Sequence, residues 1–410
     1  MASLPSYEEA AGMVAKRIAQ LDSAHPRKER LHLSAALNRV LAIPVRADHD
    51  MPPFPRSTRD GYACRAGEIT THPPLQVAGS IRAGDSPVGP LPPGSAWEIM
   101  TGAAVPVEAD AVAMLEHVEQ IDGSICLLAG RTLKSGENIV PAGAEAHAGD
   151  ELVPAGTRLA AAHIAAAAAC GYATVEVFAR PRVAILTTGD ELVPVNVTPV
   201  PGQIRNSNAP MLAALVEQYG GEPWILPIAK DDADALEEAL RQAIEADMLL
   251  ISGGVSAGKF DLVEPALEKL GAQFHFTGVR IQPGKPLVFG EIPRKDRELN
   301  AQLFFGLPGN PISSAATFLL FAAPVLARLS GGSAILPQFA FARLSRSVNG
   351  KPDLTRFVPA VRSGDGTEVA PVGSQGSGDL AAFARADCFL AVSEGVDRIE
   401  PGALVRILSL

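Results

Sequence analysis

The chain has 410 residues, too many for a single hydrophobic core, and this length predicts about two to four domains. Its formal net charge of −10, from 35 Lys and Arg against 45 Asp and Glu, argues against a partner held by contacts to a nucleic-acid backbone. Hydrophobic residues make up 47% of the chain and charged residues 20%, which is typical of a globular protein and excludes a disordered one.

The N-terminal segment predicts an amphipathic helix. It lacks the basic region and apolar run of a signal peptide, and Ser6 and Glu9 have the spacing of a capping box. The most apolar stretch, Ile312 to Leu326, carries three hydroxyl side chains and is interrupted by Pro324, so a buried helix is preferred to a membrane span. We therefore expect no association with a membrane.

The cysteines indicate the redox environment. They lie far apart, without a C-x-x-C pair and without histidines at zinc spacing, at Cys64, Cys126, Cys170 and Cys388. Neither a disulfide framework nor a zinc site is predicted, and a reducing cytoplasm is the expected location.

Between about residues 45 and 155, short apolar runs alternate with Gly and Pro clusters, which predicts a β-rich unit. The Ala-rich segment from Leu159 to Cys170 predicts a helix. After about Gly332, short apolar runs with Gly-bearing turns predict a small C-terminal β domain.

From Arg182 to about Gly331, predicted strands and helices alternate, which implies a parallel sheet wrapped by helices. The segments in order are RVAILTT, NSNAPMLAALVEQYG, PWILPIA, DADALEEALRQAIEA, DMLLIS and FDLVEPALEKLG. Helix caps are expected at Asn208 and at Asp231 with Asp232.

Three predicted strand ends in this unit carry unusual sequences: TTGDEL (Thr187 to Leu192), GGVSAGKFD (Gly253 to Asp261) and GLPGNP (Gly306 to Pro311). Ligands of open α/β sheets bind beyond the carboxyl ends of the strands. In the last two segments, glycines expose backbone N–H groups beside a helix N-terminus, which favours a phosphate or oxyanion. Each segment alone is equally consistent with a tight structural turn, but their occurrence together favours an anion site.

The second of these segments also resembles a nucleotide-binding P-loop. Gly253, Gly258 and Lys259 match G-x-x-x-x-G-K, but Phe260 stands where the motif needs a hydroxyl group for magnesium. Hydrolysis of a nucleoside triphosphate is therefore the weaker alternative.

Three carboxylates, those of Glu191, Asp231 and Asp261, follow strand ends of the same predicted sheet. They are expected to converge on one Mg²⁺ ion beside the anion. The alternative is helix capping, which for Asp231 alone is the simpler interpretation.

Lys285 follows Pro283 and Gly284 at a turn, where it would hold a phosphate as a point charge or remain a solvated surface lysine. Two N-terminal segments, Pro52 to Ala63 and Glu98 to Pro106, are polar and rich in turn residues. Composition alone identifies both as ordinary loops.

In order, over nearly the whole chain, these segments resemble the molybdopterin molybdenumtransferase family, the MoeA-type proteins related to the E domain of gephyrin. GLPGNP together with GGVS-x-G-x-x-D is the specific pair. The α/β part alone also resembles the adenylyltransferase that acts one step earlier, whereas the outer domains match the insertase. The strings that carry the resemblance are STRDGYA, IMTGAAVP, TTGDEL, GQIRNSN, KDD, GGVSAGKFD, PGKPLVFG, GLPGNPIS and GSQGS.

The resemblance implies a multidomain α/β plus β protein, with a three-layer α/β molybdopterin-binding domain, a β-rich N-terminal lobe and a small C-terminal β domain. The implied division is a helix over 1–27 that packs on the α/β domain, a linker and dimerisation domain over 28–50 and 144–180, the β-rich lobe over 51–143, the α/β domain over 181–331 and the C-terminal β domain over 332–410.

It also implies a reaction. Adenylated molybdopterin and molybdate are the substrates, Mg²⁺ assists hydrolysis, molybdenum is inserted and AMP is released. The resemblance further implies an elongated homodimer, whose cleft combines the α/β domain of one subunit with the β-rich lobe of the other. Transient contacts are expected with the preceding adenylyltransferase and with apo-molybdoenzymes.

The site residues follow by motif match. The catalytic candidates are Asp60, Thr101, Glu191, Asp231 and Asp261. The candidates for binding the substrate are Gly253, Gly254, Ser256, Gly258, Pro283, Gly284, Lys285, Pro308, Gly309, Asn310, Pro311 and Ser377. The metal ligands would be Glu191, Asp231 and Asp261.

Four positions depart from the family pattern. Gln282 stands where a lysine often precedes PGKP, Arg56 and Arg59 stand where Asn and Met are frequent, and Asn138 replaces a common aspartate. The alternative function is a non-catalytic or specialised paralogue, which would bind molybdopterin or the cofactor for delivery to an apoenzyme or would prefer tungstate.

Overall fold

The chain folds into several units, each with its own sheet and hydrophobic core. This computed structural model describes residues 4–20, 27–72, 74–85, 89–254, 262–294, 301–332 and 336–410. The elements of the N-terminal half are α1 (Tyr7–Gln20), β1 (Lys28–His32), β2 (Val45–Arg46), β3 (Arg56–Ser57), β4 (Gly61–Cys64), α2 (Ala66–Thr71), β5 (Leu75–Ile81), β6 (Ser95–Ile99), β7 (Ala111–Met114), β8 (Val118–Ile121), β9 (Ser124–Leu127), β10 (Ile139–Val140), β11 (Glu151–Val153), α3 (Ala161–Ala169) and β12 (Thr174–Phe178).

The elements of the C-terminal half are β13 (Arg182–Thr187), β14 (Leu192–Val193), β15 (Ile204–Arg205), α4 (Asn208–Gln218), β16 (Glu222–Ile225), α5 (Ala233–Ala243), β17 (Met248–Ser252), α6 (Val263–Lys269), β18 (Gln273–Thr277), β19 (Ile281–Gln282), β20 (Val288–Pro293), β21 (Ala301–Leu307), α7 (Pro311–Thr317), α8 (Ala323–Leu329), β22 (Ala340–Leu344), β23 (Val348–Asn349), β24 (Thr355–Arg362), β25 (Glu368–Pro371), α9 (Leu380–Phe383), β26 (Cys388–Val392), β27 (Arg398–Ile399) and β28 (Leu404–Ser409).

Helix α1 begins with the predicted capping box. The Ser6 N–H donates to Glu9 Oε2 at 2.7 Å, and the Glu9 N–H donates to Ser6 Oγ at 3.1 Å. The apolar face of the helix is buried in the core of the α/β unit. Its Tyr7 ring packs edge-on against Phe321 of that unit and Phe357 of the C-terminal unit, so α1 links the two.

The β-rich lobe is held by a six-stranded sheet in the order β7-β4-β6-β5-β9-β8, in which only β5 and β6 run parallel. The chain enters and leaves the lobe at adjacent points, because the Met51 N–H donates to the Ala146 carbonyl at 2.8 Å. Beside this crossing, β1 pairs with β12 and β2 with β11 in a separate unit, which also contains the predicted Ala-rich helix as α3.

The α/β unit has helices on both faces of a six-stranded sheet, in the order β16-β13-β17-β21-β20-β18. Strand β13 buries alternate side chains on opposite faces: Val183 and Ile185 contact the core with α4, and Ala184 and Leu186 contact the core with α5 and α6. This two-sided burial explains the continuous apolar run in the sequence and confirms the three-layer prediction.

The sequence pattern implied a parallel sheet, but the observed sheet is mixed. Strands β16, β13, β17 and β21 are parallel, but β20 runs antiparallel to β21, and the edge strand β18 runs antiparallel to β20. The connection from Pro293 to Ala301 is too short for a crossover helix, so β20 and β21 pair as antiparallel neighbours.

The most apolar helix, Pro311–Leu329, is long and apolar enough to cross a membrane, but 89% of its most apolar window is buried inside the protein. It is a core helix, as expected. A π-helical turn at Phe318–Ala322 separates α7 from α8. Pro324 follows this turn and has no N–H to donate to the carbonyl four residues earlier, which accounts for the widened turn.

The C-terminal unit is a sheet that closes on itself through β24, β25, β22, β28 and β26. Strand β19, which precedes β20 in the chain, pairs in parallel with Thr355 and Arg356 at the start of β24. The α/β unit and the C-terminal unit therefore share a continuous hydrogen-bonded connection.

The packing predicts a clear difference between two phenylalanines. Phe321 is fully buried among the rings of Tyr7 and Phe276, whereas Phe341 is 62% exposed. Phe321→Ala should lower the free energy of unfolding by about 3–5 kcal/mol, because it leaves a cavity in the core. Phe341→Ala, the matched control, should change it by less than about 0.5 kcal/mol. Urea denaturation followed by tryptophan fluorescence measures both, and equal effects would contradict the assigned core.

Candidate active site

The predicted ligand-binding edge is formed by the carboxyl ends of three neighbouring parallel strands. In the sheet, Thr187 of β13 lies beside Ser252 of β17, which lies beside Leu307 of β21. The Thr188 N–H donates to the Ser252 carbonyl at 3.1 Å, and the Gly253 N–H donates to the Leu307 carbonyl at 3.2 Å. The turns that follow these strands are therefore adjacent, as the sequence predicted.

The glycines at this edge allow a close approach of backbones. Gly253 and Gly254 have φ of +93° and +62°, and a Cβ atom at Gly253 would lie 2.6 Å from the Thr188 carbonyl oxygen. A Cβ atom at Gly309 would lie 3.7 Å from the Gly253 Cα, so the turns after β17 and β21 touch each other. Larger residues at Gly253 would force these turns apart.

The remainder of the GGVSAGKFD segment, residues 255–261, lies outside the described residues. The roles assigned to Ser256, Gly258 and Asp261 therefore stay predictions. Within the described ranges, no group of three or more His, Cys, Asp and Glu side chains is arranged to hold a metal ion. Because Asp261 is the third proposed ligand, the magnesium site also stays a prediction.

The acidic turn after β13 lies next to the turn that opens α5. A Cβ atom at Gly189 would lie 2.6 Å from Glu191 Oε2, which shows that the Glu191 carboxylate folds back over its own turn. The Asp231 N–H donates to Asp190 Oδ1 at 3.3 Å. Glu191 and Asp231 are thus placed on two turns that a hydrogen bond connects.

Asp231 is not the cap of α5. The cap is Asp232, whose Oδ1 accepts hydrogen bonds from the N–H groups of Asp234 and Ala235 at 3.1 and 3.0 Å. The expectation that Asp231 caps this helix is wrong, because its neighbour satisfies the free N–H groups. The carboxylate of Asp231 remains available for another role.

The C-terminal unit contributes Ser377 to the same edge. Asn310 Nδ2 donates to Ser377 Oγ at 3.0 Å, and the Ile312 N–H donates to the Ser377 carbonyl at 3.1 Å. Asn310 precedes Pro311, the first residue of α7. The structure therefore brings together Ser377 and the GLPGNP turn, which lie far apart in sequence.

The PGKP turn packs against the end of α7. Gly284 has φ of +114°, and a Cβ atom there would lie 2.5 Å from Thr317 Cγ2. The Pro283 peptide bond is cis. Lys285 is exposed and has no carboxylate partner among the described residues, so its ammonium group is free to meet an anion.

Arg356 is a candidate that the sequence analysis missed. It lies directly beside Gln282 in the β19–β24 pair. Its buried Nε and the buried Gln282 Oε1 have no hydrogen-bond partner within the described part of the chain, although the guanidinium also donates to the Asn349 carbonyl. Burial lowers the pKa of Arg356. No motif marks this arginine, because only the pairing of two distant strands places it beside the PGKP turn.

In the lobe, Asp60 and Thr101 are joined. The Thr101 N–H and hydroxyl donate to Asp60 Oδ1 at 2.7 and 2.8 Å. Both bonds lower the pKa of Asp60, and the bond from the backbone N–H has the larger effect. Among the described residues, no hydrogen bond or ion pair joins either side chain to the strand ends of the same chain.

The other departures from the family pattern have local partners. Arg56 Nη2 pairs with Glu145 Oε1 at 2.7 Å, so its charge is offset. Arg59 has no carboxylate partner in the described ranges. Asn138 has φ of +63°, which asparagine tolerates, and its Nδ2 donates to the Val112 carbonyl at 2.8 Å. Asn138 therefore has a structural role in a turn.

Three family models match successive parts of the chain: "MoeA N-terminal region (domain I and II)" over residues 5–171, "Probable molybdopterin binding domain" over 184–328 and "MoeA C-terminal region (domain IV)" over 341–410. A protein of Haemophilus influenzae named molybdopterin molybdenumtransferase is 34% identical over 386 residues, which cover 92% of this chain and 93% of that protein. The chain belongs to the MoeA family.

Other relatives agree with membership of the MoeA family. The molybdopterin molybdenumtransferase of Bacillus subtilis is 35% identical over 93% of this chain and 89% of its own length, and that of Nostoc sp. is 39% identical over 80% and 75%. A MoeA protein structure from Pyrococcus horikoshii OT3 has a TM-score of 0.82 at 27% identity and covers 100% of both chains. The predicted family and multidomain fold are confirmed.

The Asp60–Thr101 contact predicts a pH effect. Thr101→Val removes the hydroxyl donor but keeps the backbone donor, so the pKa of Asp60 should rise and still remain below its ordinary value. Because the folded-state pKa is lowered, this group stabilises the fold above its unfolded pKa, and the contribution is lost as the pH falls through the folded pKa. Carboxyl-carbon NMR titration measures the shift. Asp365, whose lowered pKa depends on Ser363 and Thr367, is the internal control and should not move. An unchanged Asp60 titration would contradict the prediction.

Proposed function

We propose that this protein is a molybdopterin molybdenumtransferase of molybdenum cofactor biosynthesis. It hydrolyses adenylated molybdopterin, inserts molybdenum from molybdate and releases AMP. The observation that carries this proposal is the convergence of three motif-bearing turns and Ser377 at one edge of the α/β sheet. The names of relatives that match most of the chain support it. The delivery paralogue is not favoured, because Asp60, Glu191 and Asp231 are all retained.

We infer that the phosphate groups of the substrate bind at the glycine turns. Gly253, Gly254 and Gly309 carry no side chains of their own, and α7 begins directly after Asn310. The Gly253 N–H already donates to the Leu307 carbonyl, so the proposed donors are other N–H groups of these turns. Free N–H groups at such turns and helix starts attract anions. The exposed Lys285 would add a positive charge that stabilises the negative charge developing on the phosphates.

We infer that Arg356 supplies the cation that Gln282 does not. The two residues are direct neighbours on paired strands, and Arg356 Nε is buried without a partner among the described residues. An oxyanion such as molybdate would satisfy this donor. Substitution of lysine by Gln282 then relocates a positive charge within the site and does not remove it.

We propose that Glu191, Asp231 and Asp261 hold Mg²⁺. Carboxylate oxygens are the donors that this cation prefers, and capping by Asp232 leaves Asp231 free to act as a ligand. When bound, the cation would reduce the negative charge of the phosphoanhydride and orient water for hydrolysis. The chain's own part, as far as the described residues extend, is to hold the carboxylates of Glu191 and Asp231 on two adjacent turns.

We also propose a homodimer in the cytoplasm. Asp60 and Thr101 have no polar contact with the strand ends of their own chain within the described ranges, so a second copy would bring them to the site. The unpaired cysteines fit a reducing compartment. Transient contacts with the adenylyltransferase and with apo-molybdoenzymes would pass the substrate in and the product out.

A direct assay tests the proposed function. Purified protein with adenylated molybdopterin, molybdate and Mg²⁺ should release AMP, measured by chromatography, and should yield cofactor that activates an apo-molybdoenzyme. Omission of Mg²⁺ should stop AMP release. Tight binding of the adenylate with no AMP release would support the delivery paralogue instead.

Two adjacent aspartates give a matched pair of variants. Asp231→Ala should lower the rate of AMP release by about 100-fold or more, because loss of a metal ligand removes several kcal/mol of charge stabilisation. Asp232→Ala should lower the free energy of unfolding by about 1 kcal/mol through loss of the helix cap and leave the rate unchanged. Rates and thermal melts of both variants distinguish the two roles, and a fully active Asp231→Ala protein would remove Asp231 from the site.

Arg356 gives a further prediction. Arg356→Gln should raise the KM for molybdate about 10-fold to 100-fold, because a charge-assisted hydrogen bond contributes about 1.5–3 kcal/mol. Arg398→Gln is the control, since Arg398 pairs with Glu400 on the exposed surface. Adding Gln282→Lys to Arg356→Gln should recover part of the lost affinity. An unchanged KM in Arg356→Gln would show that this arginine does not bind molybdate.

A further inference from the structure

Asn208 does not have the capping role expected from the sequence. Its side chain turns inward, and its Nδ2 donates to Ser252 Oγ at 2.8 Å and to the Gly309 carbonyl at 2.6 Å. The residue before α4 is Ser207, which makes no side-chain cap bond, and Asn206 Oδ1 accepts from the Ala209 N–H in the first turn at 3.1 Å. Asn208 is 8% exposed, so these bonds form within the protein interior.

The two acceptors of Asn208 belong to the two glycine turns. Ser252 ends β17 directly before Gly253 and Gly254, and Gly309 lies in the turn after β21. Glycine turns have many accessible backbone conformations, so a polar cross-link between them limits their motion. The Asn208 amide thus adds a side-chain link between the two turns, beside the backbone bond from Gly253 to Leu307.

The same amide has an unused acceptor. Asn208 Oδ1 is buried and has no hydrogen-bond partner in the described part of the chain, and the same holds for Thr188 Oγ1. Thr188 Oγ1 lies beside the glycine turn, 2.7 Å from the position of a Cβ atom at Gly254. Leaving a buried polar group unpaired costs about 1–3 kcal/mol, and such groups persist where a ligand or water completes them.

We propose that Asn208 is a positioning residue of the active site, which holds the two glycine turns at a fixed separation and accepts, at its carbonyl oxygen, a hydrogen bond from an N–H or O–H group of the bound substrate. This inference rests on the proposed function. It assigns a substrate contact to the helix start after GQIRNSN, where composition indicated only a cap.

Asn206 provides a matched control. It is 7% exposed, and its Nδ2 donates to Thr187 Oγ1 at 2.8 Å, on the neighbouring strand but outside the glycine turns. Asn206→Ala and Asn208→Ala remove similar buried hydrogen bonds, so both should lower the melting temperature. Ser252→Ala removes the bond between Asn208 Nδ2 and Ser252 Oγ but keeps the carbonyl oxygen of Asn208. This variant therefore distinguishes loss of the cross-link from loss of the substrate contact.

Steady-state kinetics of AMP release test the proposal. Asn208→Ala should lower kcat about 10-fold or more and raise the KM for adenylated molybdopterin about 10-fold, as expected for loss of one buried hydrogen bond in each role. Ser252→Ala should lower kcat with little change in KM. Asn206→Ala should keep both constants near those of the unchanged protein. If Asn208→Ala matches Asn206→Ala in both constants, Asn208 has a structural role only.

Amide hydrogen exchange supplies a readout that needs no turnover. In Asn208→Ala, and more weakly in Ser252→Ala, exchange should increase in peptides covering 248–254 and 303–310, while Asn206→Ala leaves these peptides unchanged. If the unchanged protein releases no AMP, the proposed function fails, and exchange together with equilibrium binding of adenylated molybdopterin still decides the role of Asn208. Unchanged exchange in both Asn208→Ala and Ser252→Ala would overturn the positioning role.

Discussion

The parallel pairing of β13, β17 and β21 is the constraint on which the site depends. Parallel strands end at the same edge of a sheet, so the turns after Thr187, Ser252 and Leu307 are adjacent although they are far apart in sequence. These strands are apolar on both faces, and an alternating pattern therefore does not define their register. At the strand ends, Asn206 and Asn208 at the start of α4 donate to Thr187 and Ser252, which ties this helix to two neighbouring strands.

Much of the fold could be predicted from the sequence because it depends on local patterns. The Ser6–Glu9 box, the Ala-rich helix and the alternation of strands and helices after Arg182 all use interactions within a few residues. The predicted strand direction at the sheet edge was wrong. The alternation of strands and helices in the sequence identifies the type of each element but does not determine which strands pair. The caps at Asp231 and Asn208 were wrong for a related reason. Neighbouring acidic or amide side chains have the same capping chemistry, and long-range contacts decide which of them caps.

The candidate site residues also fall into two groups: those that motifs selected and those that only long-range pairing reveals. Motifs were sufficient to select the glycine turns, Glu191 and Ser377, and the fold brings these residues to one edge. Arg356 has no motif and becomes a candidate only through the pairing of β19 with β24. The same pairing places the positive charge of Arg356 beside Gln282 on the adjacent strand. Asp60 and Thr101 bond to each other in the lobe. In the proposed dimer, their function depends on contact with the sheet edge of the second copy.

The crossing at Met51 and Ala146 has an evolutionary consequence. The lobe is an inserted domain, and the residues at which the chain enters and leaves it, Met51 and Ala146, are joined by a hydrogen bond. Changes within this lobe alter its surface and leave the strand pairs of the α/β sheet intact. Arg56 and Arg59 both lie in this lobe, at positions where a substitution changes the lobe and does not touch the strands of the α/β sheet.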